Sequence, residues 1–135
     1  MSDNAAYERG IAVMREMWGD RPAEMLAEVQ TDFSRDVYRL VIESCFGSCW
    51  SDGSLSPKVR SLVTVAIVAA LGRSEETKIH LMWALRNGCT PDELRGVIKH
   101  VTAYAGAPAG VDAAQAADAV LAAEAASANG AGGDR

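Results

Sequence analysis

Apolar residues recur along most of the chain at intervals of three and four, which is the spacing of one face of an α-helix. In the first such segment, about Ala5 to Trp18, a single stripe is formed by Tyr7, Ile11, Met14 and Trp18. The strict alternation of a half-buried strand is nearly absent. The pattern therefore predicts an all-α protein.

Turn and capping residues divide the rest of the chain into further helices. Pro22 can begin a second short helix, because proline is tolerated in a first helical turn, and Asp32 can cap a third. The side chains expected to face inward are Met25, Leu26 and Val29 from the second helix, and Phe33, Val37, Leu40, Val41, Ser44 and Cys45 from the third.

In the second half of the chain, capping residues and prolines mark the starts and ends of helices more clearly. The expected helices run from Pro57 to Leu71, from a Ser74 cap to Asn87, from a Thr90/Glu93 capping box to Gly106, and onward from near Val111. The first of these is apolar almost all round after Arg60, so it should be central. We expect one folded domain over residues 1–127 and a disordered tail over residues 128–135.

Charge and cysteine usage narrow the class of protein. The net charge of −5 comes from interspersed acids and bases, so nucleic acid and anionic membranes are not expected partners. The N-terminus lacks the features of a signal peptide, and the apolar stretch from Leu62 to Leu71 is too short to cross a bilayer. A cytoplasmic protein is expected, and three cysteines without an export signal argue against a disulfide framework.

Six short segments resemble motifs of a known family and follow one another at matching spacing. They are Thr31-Asp32-Phe33, Phe46-Gly47-Ser48-Cys49-Trp50, the run from Lys58 to Ala66, Glu75 to His80, Asn87 to Glu93, and Tyr104 to Pro108. In this order they resemble the carboxymuconolactone decarboxylase family, and the resemblance extends over about Tyr7 to Leu121.

The resemblance implies a fold and an activity. The fold is an AhpD-like bundle of about six to seven helices in a single domain, and such subunits form ring-like homo-oligomers, trimers or hexamers. The family's type reaction belongs to aromatic catabolism: it decarboxylates γ-carboxymuconolactone to the enol-lactone of 3-oxoadipate. It uses neither cofactor nor metal, so we expect a lyase that acts on a small anionic lactone or another enolisable carbonyl compound.

Two residues match the family's catalytic positions, Arg60 and His80. Loss of CO2 from such a lactone leaves a dienolate, so the site needs a cation for a carboxylate or oxyanion and a group that transfers a proton. Arginine keeps its charge and binds carboxylates through a planar fork, whereas imidazole titrates near neutral pH. Glu76, four residues before His80, can orient the ring. A surface arginine and a structural histidine are the plainer alternatives.

Four further residues are expected to line the pocket and bind the substrate: Ser48, Cys49, Trp50 and Trp83. Ser48 stands where the family's Trp-Gly-Glu-x-Trp motif has glutamate, and a hydroxyl cannot act as a carboxylate base near neutral pH. Glu43 would lie about 140° away from Ser48 around an α-helix, so it is not a simple replacement. This departure leaves the substrate open.

Other functions stay open on the sequence alone. An isomerase, or another natural-product or aromatic-catabolism enzyme, would use the same scaffold. Cys45 and Cys49 raise a thiol peroxidase or disulfide reductase, although their spacing differs from the Cys-x-x-Cys of AhpD and buried small side chains are the plainer interpretation. A non-catalytic binding subunit is the third alternative.

Overall fold

The computed structural model describes residues 4–131, apart from the side chains of residues 22, 23 and 27. Within this range the chain forms seven α-helices and one π-helical segment, without a strand. The helices are α1 (Asn4–Trp18), α2 (Arg21–Val29), α3 (Arg35–Val41), α4 (Pro57–Ala70), α5 (Ser74–Arg86), α6 (Pro91–Ala105) and α7 (Ala107–Gly130), and the π segment (Ile42–Trp50) follows α3 directly. Over residues 4–131, no helix combines the length and apolar character that a membrane span requires.

The chain divides into two compact units, Met1–Pro57 and Lys58–Arg135, and each is described by itself. In the first unit, α1 packs against the π segment so closely that the two backbones touch. A Cβ atom on Gly47 would overlap the carbonyl oxygen of Ala6, and one on Gly10 would overlap that of Ile42. Glycine is required at both positions because any side chain would push the helices apart.

The π segment also decides which side chains are buried. The amide of Ser51 donates to the carbonyl of Phe46 at 3.0 Å, which is the five-residue step of a π-helix. Trp18 of α1 meets Phe46 and Trp50 edge to face, with ring centroids 5.2 Å and 6.0 Å away. The core of this unit is therefore built from the π segment, where Ile42 and Phe46 are buried.

The inward faces predicted for α2 and α3 are wrong. Phe33 is 96% exposed, and the other exposed members of the predicted set are Met25, Val29, Val37, Leu40, Val41, Ser44 and Cys45. Asp32 does not cap α3, which begins at Arg35, but forms an ion pair with Arg35. The physical reason is that Ile42, Phe46 and Gly47 of the π segment, and not α3, supply the buried face.

In the second unit, α4 to α7 enclose a core in which Val65, Leu81, Leu94 and Ala116 pack together, one from each helix. The capping box is confirmed: Thr90 accepts from the amide of Glu93, and the Glu93 side chain accepts from the amide of Thr90. Ser74 begins α5 but does not cap it, since its hydroxyl donates to Asp112 instead. The last helix starts at Ala107, four residues earlier than expected, and runs to Gly130.

One face of α4 departs from the expectation of an all-round buried helix. Its inner stripe, Ser61, Val65 and Ala69, is buried. Its outer stripe is exposed and consists of Val59, Val63 and Ile67, each one turn from the next, and exposed Leu71 continues the stripe directly after the helix.

Candidate active site

His80 lies in the middle of α5, at the margin of the core. The buried residues of this helix are Thr77, Leu81 and Ala84, and His80 is half-buried beside them. Its ring meets that of Trp83 edge to face, with the centroids 5.0 Å apart. Burial lowers the pKa of His80 below its usual value, and the negative charge of Glu76 opposes this shift. The predicted trio of His80, Glu76 and Trp83 is thus brought together.

Arg60 lies in the first turn of α4 and is half-buried, and its Nε atom is buried. Its carbonyl oxygen accepts a hydrogen bond from the hydroxyl of Thr64 at 2.8 Å. The next residue, Ser61, is 2% exposed and accepts from the side-chain amide of Asn87 at 2.9 Å. Asn87 follows α5 directly, so this bond ties the start of α4 to the end of α5.

Arg60 and His80 lie on consecutive helices, α4 and α5, which are joined by a short turn at Gly72 with a φ of +71°. The Ser61–Asn87 bond is a side-chain contact between the start of α4 and the residue that follows α5.

Three other predicted pocket residues lie in the first unit, on the π segment. Ser48 and Cys49 are exposed, whereas Trp50 is half-buried against Trp18. The hydroxyl of Ser48 donates to the carbonyl of Glu43 at 3.0 Å. The role of Ser48, Cys49 and Trp50 in substrate binding stays a prediction.

The expected angle between Glu43 and Ser48 is wrong, because it assumed an α-helix. In a π-helix a residue stacks on the one five positions earlier, so the two residues lie in adjacent turns of one face. The side chain of Glu43 is only 15% exposed and accepts from Nε of Arg39 at 2.8 Å. Arg39 in turn lies over the Tyr7 ring, 4.7 Å from its centroid. Sequence reasoning missed this cluster, although the i, i+4 spacing of Arg39 and Glu43 is a readable sign of an ion pair.

A cavity of about 140 Å³ lies within the second unit. It is lined by Leu81, Leu85, Pro91, Leu94, Arg95, Ile98, Ala114, Ala117, Asp118, Val120 and Leu121. None of the predicted site residues is in this set, since the cavity is enclosed by α5, α6 and α7 and not by α4. We place the candidate site by the chemistry of Arg60 and His80, because the lining of this cavity includes Arg95 and Asp118 but no imidazole and no residue of α4.

The three cysteines differ in environment. Cys45 and Cys49 are exposed on the π segment, which contradicts the interpretation of these two as buried small side chains. Cys89 is buried in the core beside Leu94, and burial raises the pKa of its thiol. A buried thiol in an apolar core is typical of a structural cysteine.

A model of the carboxymuconolactone decarboxylase family matches residues 35–119, which is more than half of the chain. The chain belongs to this family. It is 38% identical over 109 residues to the 4-carboxymuconolactone decarboxylase of Acinetobacter baylyi, covering 81% of each chain. It is 29% identical over 107 residues to the nitrosuccinic acid decarboxylase of Metarhizium robertsii, covering 79% of this chain and 75% of that relative.

These relatives settle the class of protein. Both are named as decarboxylases of small acids, and decarboxylases are carbon–carbon lyases. The family, the all-α AhpD-like fold and the lyase class predicted from the sequence are therefore confirmed.

Proposed function

We propose that the protein decarboxylates a small carboxylated lactone or a related acid whose carbanion is stabilised by oxygen, without a cofactor. Arg60 binds an anionic group of the substrate, and His80 transfers the proton that replaces CO2. The observation that carries this proposal is the half-buried imidazole of His80, held against Trp83 and partly removed from water. In such a position a proton donor acts on substrate without competition from bulk water.

The two relatives support the proposed reaction type. The substrates in their names both yield a carbanion whose charge spreads onto oxygen: a dienolate from 4-carboxymuconolactone and a nitronate from nitrosuccinic acid. In each case a carbon that has lost CO2 must then be protonated. One cation and one imidazole on α4 and α5 serve that chemistry in either substrate.

Turnover of the two named substrates tests the proposal. Purified protein is dialysed against chelator, and CO2 release from 4-carboxymuconolactone and from nitrosuccinate is measured. We expect turnover of at least one, with a loss of about 10²- to 10⁴-fold in His80→Ala. His100→Gln is the matched control, since it removes the other imidazole, which is exposed on α6. Full turnover in His80→Ala would remove His80 from the mechanism.

The same assay separates the proposed lyase from a thiol enzyme. A Cys45→Ser/Cys49→Ser double variant is expected to retain decarboxylation, because neither thiol has a part in the proposed chemistry. Peroxide turnover that disappears in this variant, together with no CO2 release by the parent, would favour the thiol peroxidase instead.

A further inference from the structure

We propose that the cavity enclosed by α5, α6 and α7 is a binding site for a small compound that has a single ring and an amine. This inference does not rest on the proposed decarboxylation, since the lining of the cavity contains neither Arg60 nor His80. It gives a role to a feature of the second unit that the proposed chemistry leaves unused.

The cavity lies where the faces of three helices meet. Helix α7 packs against both α5 and α6. Aliphatic side chains one turn apart line the cavity from two of these helices: Leu81 and Leu85 on α5, and Leu94 and Ile98 on α6. On α7, Ala114 and Ala117 also line it, and each carries only a methyl group. These two methyl groups are too short to fill the space between the longer side chains.

The size and lining of the cavity define the body of the ligand. Its volume is about 140 Å³, and an aliphatic cavity of about 150 Å³ can hold one benzene ring. Leu81, Leu94 and Ile98 are buried, so a hydrocarbon ring that contacts them gains the free energy of leaving water. A rigid ring also loses little conformational freedom when it binds. A single six-membered ring therefore fits this site.

Two charged side chains in the lining define the polar group of the ligand. Arg95 and Asp118 are exposed, so they lie where the cavity meets solvent. The charge of Arg95 is offset by an ion pair with Asp92. Over residues 4–131, no ion pair or hydrogen bond holds the side chain of Asp118. Its negative charge, which has the same sign as the net charge of the chain, therefore favours a cationic group at the mouth.

A ring that carries an aminomethyl group meets both requirements. The ring occupies the apolar interior, while the ammonium group stays at the mouth, where it keeps contact with water and with the carboxylate of Asp118. Because the charged group is not moved into the apolar interior, the cost of desolvating it is avoided.

Three probes with the same ring test the site and its charge preference. Benzylamine, benzyl alcohol and benzoate are titrated into the parent protein at neutral pH, and binding is followed by NMR of the methyl groups. We expect a Kd of about 0.1–1 mM for benzylamine. An exposed ion pair contributes little, so benzylamine should bind about two- to fivefold more tightly than benzyl alcohol, and benzoate should bind most weakly.

Nuclear Overhauser effects locate the ring in the parent protein, so this measurement does not depend on the folding of any variant. We expect contacts from the ring protons of benzylamine to the methyl groups of Leu85 and Leu121, which line the cavity. Contacts to Val63 and Ile67 of the outer stripe of α4 instead would overturn the site.

Substitutions on α7 test the two features separately. Ala117→Leu extends a side chain into the cavity and should weaken the binding of all three probes by about tenfold or more. Ala123→Leu is the matched control, because it adds the same side chain at an exposed position of the same helix, and it should bind the probes like the parent. Asp118→Asn should remove the preference for benzylamine and leave the binding of benzyl alcohol unchanged.

His80→Ala separates this site from the candidate active site, and it is expected to keep the affinity of the parent for benzylamine. Loss of binding in His80→Ala, no binding of any probe by the parent, or unchanged binding in a folded Ala117→Leu variant would overturn the proposed site. Tighter binding of benzoate than of benzylamine, or a preference for benzylamine that survives in Asp118→Asn, would overturn the assignment of an amine as its ligand.

Discussion

His80 is the residue whose environment most directly predicts a measurable property. Burial lowers its pKa, and the charge of Glu76 opposes that effect. An anionic substrate would add negative charge beside the ring and favour the imidazolium. The ring would then take up its proton as the substrate binds.

The pH dependence of turnover should show this uptake. The proton donor is the imidazolium, which is lost as pH rises through the pKa of the ring. We therefore expect kcat/KM, which reports the free enzyme, to fall with rising pH around a pKa below about 6.5. The fall in kcat, which reports the complex, should come at higher pH. Both are measured as pH profiles of CO2 release.

His80→Gln provides the check on this assignment, because glutamine does not titrate. In His80→Gln, any residual activity should show no fall in kcat/KM or in kcat as pH rises. His100→Gln should keep the pH profile of the parent. Profiles in which kcat and kcat/KM rise with pH would mean that neutral imidazole is the working form, contrary to the proposed proton transfer.

At the scale of single elements, the π segment is the feature with the largest structural consequence. Gly10 and Gly47 let α1 approach this segment to backbone contact. The contacting residues are distant in sequence, since Ala6 lies 41 positions before Gly47 and Gly10 lies 32 positions before Ile42.

Gly47→Ala should destabilise the protein strongly. The new Cβ atom would overlap the backbone carbonyl of Ala6, which cannot move aside as the end of a side chain could. We expect a loss of about 1–3 kcal/mol or more in the free energy of unfolding, measured by urea denaturation. Gly96→Ala is the matched control, because its Cβ atom meets open space on α6, and it should gain about 0.5–1 kcal/mol. Equal stabilities for the two variants would contradict the close packing of α1 on the π segment.

The π register also changes what Ser48→Glu is expected to do. A carboxylate at this position restores the residue type of the family motif, and we expect it to raise decarboxylation of 4-carboxymuconolactone by about tenfold or more. The same change removes the bond from Ser48 to the carbonyl of Glu43, at a cost of about 1 kcal/mol. Activity and urea denaturation are measured together, so that a gain in rate is not hidden by lost protein.

Ser48→Gln serves as the uncharged control, with nearly the same size as glutamate. A gain in Ser48→Glu alone would identify the carboxylate as the missing group. No gain over a parent with negligible activity would mean that the substrate preference changed elsewhere as well.

These elements also show what a sequence can and cannot predict here. The start of α6 was predictable because its capping box lies within a single turn. The side chain of Thr90 accepts from the backbone amide of Glu93, and the side chain of Glu93 accepts from the backbone amide of Thr90. The π segment was not predictable, because it packs through a distant backbone contact between Gly47 and Ala6 that no local spacing encodes. The inward positions assigned to Ser44 and Cys45 failed because an α-helical period was continued across Ile42, where the π segment begins.

For the candidate site, the family motifs predicted the two residues but not all of their surroundings. Arg60 and His80 could be chosen from their matching positions, and the i, i+3 spacing of His80 and Trp83 indicates their ring contact. The bond between Ser61 and Asn87 joins residues 26 positions apart, and no spacing in the sequence encodes it.

At the scale of the whole molecule, the exposed outer stripe of α4 is a feature that a single chain does not explain. The stripe consists of Val59, Val63, Ile67 and Leu71, which are between 40% and 70% exposed. Aliphatic side chains at one-turn intervals on a surface mark a contact with another apolar surface. This supports the sequence-based prediction of a homo-oligomer.

We expect sedimentation velocity to give a mass well above the 14.3 kDa of one chain. Val63→Lys and Ile67→Lys each place a charge in the middle of the stripe, where burial against a neighbour would be costly, and should shift the protein towards the monomer. Ser127→Lys adds the same charge at an exposed position near the end of α7 and should leave the mass unchanged. A monomeric parent at tens of micromolar would contradict the oligomer. An oligomer that withstands both stripe variants would place the contact away from α4.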